Sequence, residues 1–166
     1  MGYLAVDVQY DEEADTAWVA GVWFPTWTAL IPSRSDVRVT FGLSPYTPGL
    51  FYKRELPPIL ELIEESVDCG EVHTVIVDSY VDLGPKPGMG RHLYDALEGR
   101  ARVIGVAKRP FGEAQPIEVL RGTSGRPLYV TATSDPAEAA EGIRSMHGLH
   151  RIPTLLKRVD ALARGR

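Results

Sequence analysis

A single cysteine, Cys69, in 166 residues excludes an internal disulfide framework and fits a reducing, cytoplasmic setting. Its expected role is that of a small apolar filler. No apolar run approaches the roughly 20 residues that a membrane span needs, so no membrane contact is expected. The first residues carry no basic stretch, and Asp7 interrupts the first apolar run, so a secretory signal is not expected either. Excess positive charge is also missing. A net charge of −4 argues against a protein that coats nucleic acid without specificity. Neither a P-loop nor a dinucleotide fingerprint is present, because Gly88-Met89-Gly90 is too short for either. His147 and His150 stand three apart with no cysteine or third histidine near them, which makes zinc a poor fit.

What is present is ordinary in amount and uneven in place. Hydrophobic residues make up 44% and charged residues 24%, as in a globular domain, and residues 1–166 read as one domain with its own core. Acids concentrate in residues 11–15 and 61–71. Beyond Gly142 the balance reverses, with Arg144, Arg151, Lys157, Arg158, Arg164 and Arg166 against Asp160 alone. A basic end on an acidic body is either a local phosphate-facing surface or a solvated helix face.

The hydrophobic periodicity predicts strands over residues 3–10 and 16–24 joined by a polar turn, then a third strand over 27–31 and 37–41 broken near Pro32-Ser33. Leu56, Ile59, Leu60, Ile63 and Val67 have helical spacing, with prolines in the first turn and Glu55 just before it. A strand over 73–78, a helix over 89–97 and a strand over 102–107 follow. Residues 127–133 form a late strand. Ser134-Asp135-Pro136-Ala137-Glu138 then opens a helix to about Met146, and a last helix carries Leu155, Val159 and Leu162 on one stripe. The fold class is mixed α/β, with an antiparallel start, a parallel continuation and flanking helices.

Two strands share one anomaly. Asp7 stands in mid-strand, and Asp78 ends the apolar run of residues 73–78. A half-buried carboxylate is costly unless paired, hydrogen-bonded or bound to a cation. Two carboxylates at the ends of neighbouring strands can hold a divalent metal against phosphate. Between these strands, Pro45-Tyr46-Thr47-Pro48-Gly49 forms a stiff loop whose tyrosine either stacks on a base or folds back on the core.

Taken together, these segments resemble the endonuclease V family, metal-dependent enzymes that nick DNA near deaminated adenine. The resemblance rests on Asp7-Val8-Gln9-Tyr10, on Pro45-Tyr46-Thr47-Pro48-Gly49-Leu50 with Arg54-Glu55, and on Val77-Asp78. Gly105-Val106-Ala107-Lys108 and Arg151-Ile152-Pro153 with Asp160 complete it. It implies a ribonuclease-H-like fold in which Asp7, Glu55, Asp78 and Asp160 surround one or two Mg²⁺ ions, with Mn²⁺ as a substitute. Lys108 resembles the family lysine near the reacting phosphate, and Tyr46 the wedge that fills the space left by a displaced base. The implied partner is nucleic acid, DNA before RNA. Pro45, Gly49, Lys86, Arg151, Lys157 and Arg158 are the further residues expected to meet it.

One segment departs from the family pattern. Where the family usually carries Gly-His-Gly and then His-Pro-Arg, this chain has Ser79-Tyr80-Val81-Asp82-Leu83-Gly84-Pro85-Lys86. Metal chemistry is expected to survive that change and recognition of hypoxanthine to weaken. The alternatives in other functional classes are a noncatalytic nucleic-acid-binding module of the same fold and a metal-dependent nucleotide phosphohydrolase.

Overall fold

A computed structural model describes residues 2–42 and 52–166. Its strands are β1 (Gly2–Asp11), β2 (Thr16–Phe24), β3 (Arg34–Phe41), β4 (Val72–Val77), β5 (Asp82–Leu83), β6 (Lys86–Pro87), β7 (Arg102–Ala107), β8 (Ile117–Val119) and β9 (Leu128–Ala132). The helices are α1 (Tyr52–Asp68), α2 (Met89–Ala96), α3 (Pro136–Ser145) and α4 (Thr154–Ala163). Among the described residues, a seven-stranded sheet runs in the order β3-β2-β1-β4-β7-β9-β8. β1, β2 and β3 form an antiparallel meander, while β1, β4 and β7 are parallel. β9 returns antiparallel to β7, and β8 antiparallel to β9.

The period of two along β1 sorts its side chains into the two cores. Leu4 and Val6 join Val75, Val103 and the apolar stripe of α1, Ile59, Leu62 and Ile63, with α2 beside them. Ala5 joins Ile76, Ile104 and Val130 under α3 and α4, whose Ile143, Leu155 and Val159 cover that face. Asp7, in step with Ala5, therefore points toward α4.

Three expectations need correction. Residues 27–31 are a loop and β3 starts at Arg34, because Ser33 donates both its N–H and its hydroxyl to the Trp23 carbonyl (2.8 and 3.0 Å) and turns the chain before any ladder forms. Trp27 instead packs on the Tyr3 ring at 4.4 Å. Helix α1 starts earlier than its apolar spacing predicts, so Glu55 lies in its first turn, where an acid favours the helix dipole, and Pro57 and Pro58 fall beyond that turn. Cys69 follows the end of α1 and is exposed, so it is not a core filler. Among the described residues, no helix is long and apolar enough to cross a membrane.

Candidate active site

The register of β1 on β4 builds the site. Their last parallel pair is Val6 with Val77, so the next residues, Asp7 in mid-β1 and Asp78 just past the end of β4, stand side by side where the β1–β4 ladder ends. The Asp7 carboxylate accepts a hydrogen bond from the Val8 N–H at 2.9 Å. Burial pushes its pKa up to about 7, helped by the Asp78 charge and by contact with the Asp160 carboxyl, while the Val8 bond works the other way. Glu55 reaches the same place from the other layer. Burial first, then the charges of Asp7 and Asp78, push it up to about 7 as well.

Two cations face this acidic group. Lys108, just past the end of β7, holds its Nζ 3.0 Å from Asp78 Oδ2. Arg164 Nε lies 3.0 and 3.2 Å from the two carboxylate oxygens of Asp160, one turn back on α4. A cavity between the strand ends and α4 is lined by Asp7, Asp78, Lys108, Asp160 and the apolar Ile152 and Leu156. The four expected carboxylates thus share one neighbourhood. Among the described residues, however, no three acids, histidines or cysteines stand as a ready-made ion cage. The donor set still fits a hard divalent cation, because burial and the neighbouring carboxylates disfavour the charged forms of Asp7 and Glu55, a cost that a bound cation would offset.

That crowding has a measurable consequence. In the folded state Asp7 and Glu55 hold their protons to about pH 7, against ordinary values of 3.8 and 4.5. Between about pH 4 and 7 the native state therefore binds more protons than the unfolded chain, and stability falls as pH rises through that window. In chelator, the melting temperature should be higher at pH 5 than at pH 8, and Asp7→Asn should flatten the difference. A melting temperature in chelator that rises from pH 5 to pH 8 would contradict the raised pKa values of Asp7 and Glu55.

The residues expected to meet substrate divide. Lys157 and Arg158 are exposed on α4, and Lys86 is exposed on β6. Pro45, Tyr46 and Gly49 lie outside the described residues. Arg151 departs from expectation, because its guanidinium donates to the carbonyls of Lys108 (2.5 Å), Pro127 (2.8 Å) and Arg126 (3.1 Å). It ties three segments together at the active-site end.

The altered segment, 79–86, packs inward at Tyr80 and Val81 and is exposed at Pro85 and Lys86. Tyr80 is buried, with its hydroxyl donating to the Arg109 carbonyl at 2.6 Å, and the buried Val81 gives its N–H to Thr131 Oγ1 at 2.9 Å. It crosses β7 so closely that a Cβ on Gly105 would stand 2.3 Å from the Ser79 carbonyl oxygen. Asp82 is held by Arg91 through two contacts of 3.0 and 3.2 Å, which neutralises a charge that would otherwise oppose phosphate. Sequence reasoning missed Arg121, which is buried and bonded to four carbonyls, since an isolated arginine in a polar stretch carries no periodic signal.

The mixed sheet flanked by helices, with Asp7 and Asp78 adjacent where its two central parallel strands part, is a ribonuclease-H-like nuclease fold. The sequence profile of the endonuclease V family matches residues 3–133, and the chain belongs to that family. The endonuclease V of Streptomyces avermitilis is 30% identical over 96% of this chain and 77% of its own length. The crystal structure of that organism's endonuclease V superposes with a TM-score of 0.74 and 26% identity, over 99% of this chain and 80% of the other. A Ciona intestinalis endonuclease V, solved with a 24mer DNA containing an inosine followed by a ribo-adenosine, gives 0.76 at 15% identity, over 99% and 84%. The last of these speaks for the fold alone. The profile match ends before α3, so Asp160 lies beyond it.

Proposed function

We propose that this protein is a Mg²⁺-dependent endonuclease, with Mn²⁺ as a substitute, that hydrolyses phosphodiester bonds in nucleic acid. DNA is the favoured polymer, in line with the DNA held by the Ciona relative, and the proposed role is incision near deaminated bases for repair, with selectivity for the base weakened by the altered segment 79–86. The observation that carries this reading is the emergence of Asp7 and Asp78 side by side with Lys108 3.0 Å from Asp78.

Asp7, Glu55, Asp78 and Asp160 would hold the ion, and once bound it supplies charge for the crowded phosphate and a water of lowered pKa. The chain's own residues do the rest. Asp7 and Glu55, whose carboxyls are protonated up to about pH 7, must give up those protons to bind the ion, which makes binding tighten as pH rises. Lys108 adds positive charge where negative charge grows on the phosphoryl oxygens. In the reaction a water oxygen bonds to phosphorus, one phosphorus–ester oxygen bond breaks, and the water's proton ends on the departing oxygen. No covalent link to the protein is needed.

The deciding assay incubates the protein with labelled inosine-containing, uracil-containing, branched and undamaged strands, with and without Mg²⁺. Cleavage is expected with Mg²⁺ or Mn²⁺ and not in chelator. Failure to cut any strand with either ion would sink the reading. The exposed cations of α4 bring a second expectation. Each residue that neutralises a phosphate contributes about one unit to the slope of log affinity against log salt. The Lys157→Ala, Arg158→Ala double variant should lower that slope by about two. An unchanged slope would assign both residues to a solvated face.

A further inference from the structure

An arginine in the interior normally sits beside a carboxylate, because a buried charge without strong partners is expensive. Arg121 is only 5% exposed, yet the acceptors its guanidinium meets are backbone carbonyls. They are those of Met146 (2.5 Å), His150 (2.6 Å), Gly148 (3.2 Å) and Arg151 (3.3 Å). A charged donor has been buried to fix one surface loop, residues 146–151.

Further contacts hold the same loop. Gly122 has a φ of +60°, and a Cβ there would stand 2.2 Å from the Leu149 carbonyl oxygen. His147 and Thr154 close its base through a ring-nitrogen–hydroxyl contact of 2.9 Å and a backbone bond of 2.8 Å. The rigid result presents a leucine to solvent, since Leu149 is 86% exposed, with Leu120 beside Arg121 at 58%. A single exposed apolar side chain is ordinary on a protein surface, so what sets Leu149 apart is where its constrained loop is docked.

Position supplies the explanation. Arg151, two residues after Leu149, donates to the carbonyl of Lys108, the lysine that contacts Asp78. The loop is therefore docked onto the active-site end of the sheet, with the exposed basic residues Arg126 and Lys157 on its neighbouring segments. Small apolar side chains presented among cations are used to enter a base step and unstack it. We infer that Leu149 is a rigid apolar wedge that contacts the bases of the bound strand beside the scissile phosphate. This inference rests on the nuclease reading above and adds to it a substrate contact outside the carboxylate set and outside the Tyr46 loop.

The test uses Asp78→Asn protein, so that substrate persists, and an inosine-containing duplex carrying 2-aminopurine at successive steps around the lesion. The parent is expected to bind and to raise 2-aminopurine fluorescence at one step. Adding Leu149→Ala should cut that rise by at least half and weaken binding about tenfold, with the salt slope unchanged because no charge is lost. Leu149→Phe should keep both signals, and Leu149→Asp should lose both. Wild-type fluorescence and affinity in both the alanine and aspartate variants would overturn the wedge while leaving the nuclease reading intact. Wild-type protein that fails to cut or bind any strand would remove the nuclease reading and the wedge with it.

Discussion

Asp78→Asn should leave no measurable strand cleavage, a loss of at least about a thousandfold, or about 4 kcal/mol of transition-state stabilisation. The side chain stands at the exposed end of β4, where an amide of the same size disturbs no packing, so the fold and the melting temperature should change little. What disappears is a hard anionic donor and the partner of Lys108. Asp7→Asn should be as inactive, with a second signature that separates it from misfolding. Because Asp7 is held in a crowded, buried position, the neutral amide should raise the metal-free melting temperature at pH 8. Cleavage by Asp78→Asn at the wild-type rate would remove that carboxylate from the mechanism.

The second large effect concerns the base. We expect the single-turnover cleavage rates on matched inosine and adenine strands to differ by less than about a hundredfold, on the order of 3 kcal/mol. A site discriminates strongly when it hydrogen-bonds its base and weakly when those partners are absent. Here the first groups of the replaced segment are engaged within the protein. The Tyr80 hydroxyl is engaged by Arg109, the Val81 N–H by Thr131, and Asp82 by Arg91. With few groups left to read a base edge, cleavage should follow how easily a base is displaced, so mismatched or unpaired sites should be cut in preference to paired ones. A rate ratio of a hundred or more would mean that other residues have rebuilt the pocket.

The sequence made the site easier to read than the fold's edges. Asp7 and Asp78 stood out because each breaks an apolar strand pattern, and a buried charge is legible wherever the pattern around it is clear. The cap at Asp135 was equally legible, since its side chain does accept from the Ala137 N–H at 2.9 Å. Composition misled where apolar residues serve a loop. Trp27 to Ile31 looks like a strand, yet Trp27 anchors a connection against Tyr3 while Leu30 and Ile31 stay exposed. β8 was missed because its run, Ile117–Val119, is too short to carry a period. The roles of Arg151 and Arg121 were invisible for another reason. Whether a guanidinium meets phosphate or carbonyl depends on where distant chain segments arrive.

Strand β1 also decides when the molecule can work. It lies between β2 and β4, and its Asp7 meets Asp160 of α4, a residue far away in sequence. No local segment holds the proposed set of carboxylates, so assembling it requires both the parallel pairing with β4 and the docking of α4. Contacts of such long sequence separation form slowly, because loop-closure entropy must be overcome before they stabilise anything. During synthesis β1 and β2 would expose the apolar face later covered by Leu155 and Val159 until α4 has emerged. The unfinished chain thereby lacks the proposed site and is open to aggregation along that face. For the nuclease proposed above, this order of events keeps an incomplete chain from cutting.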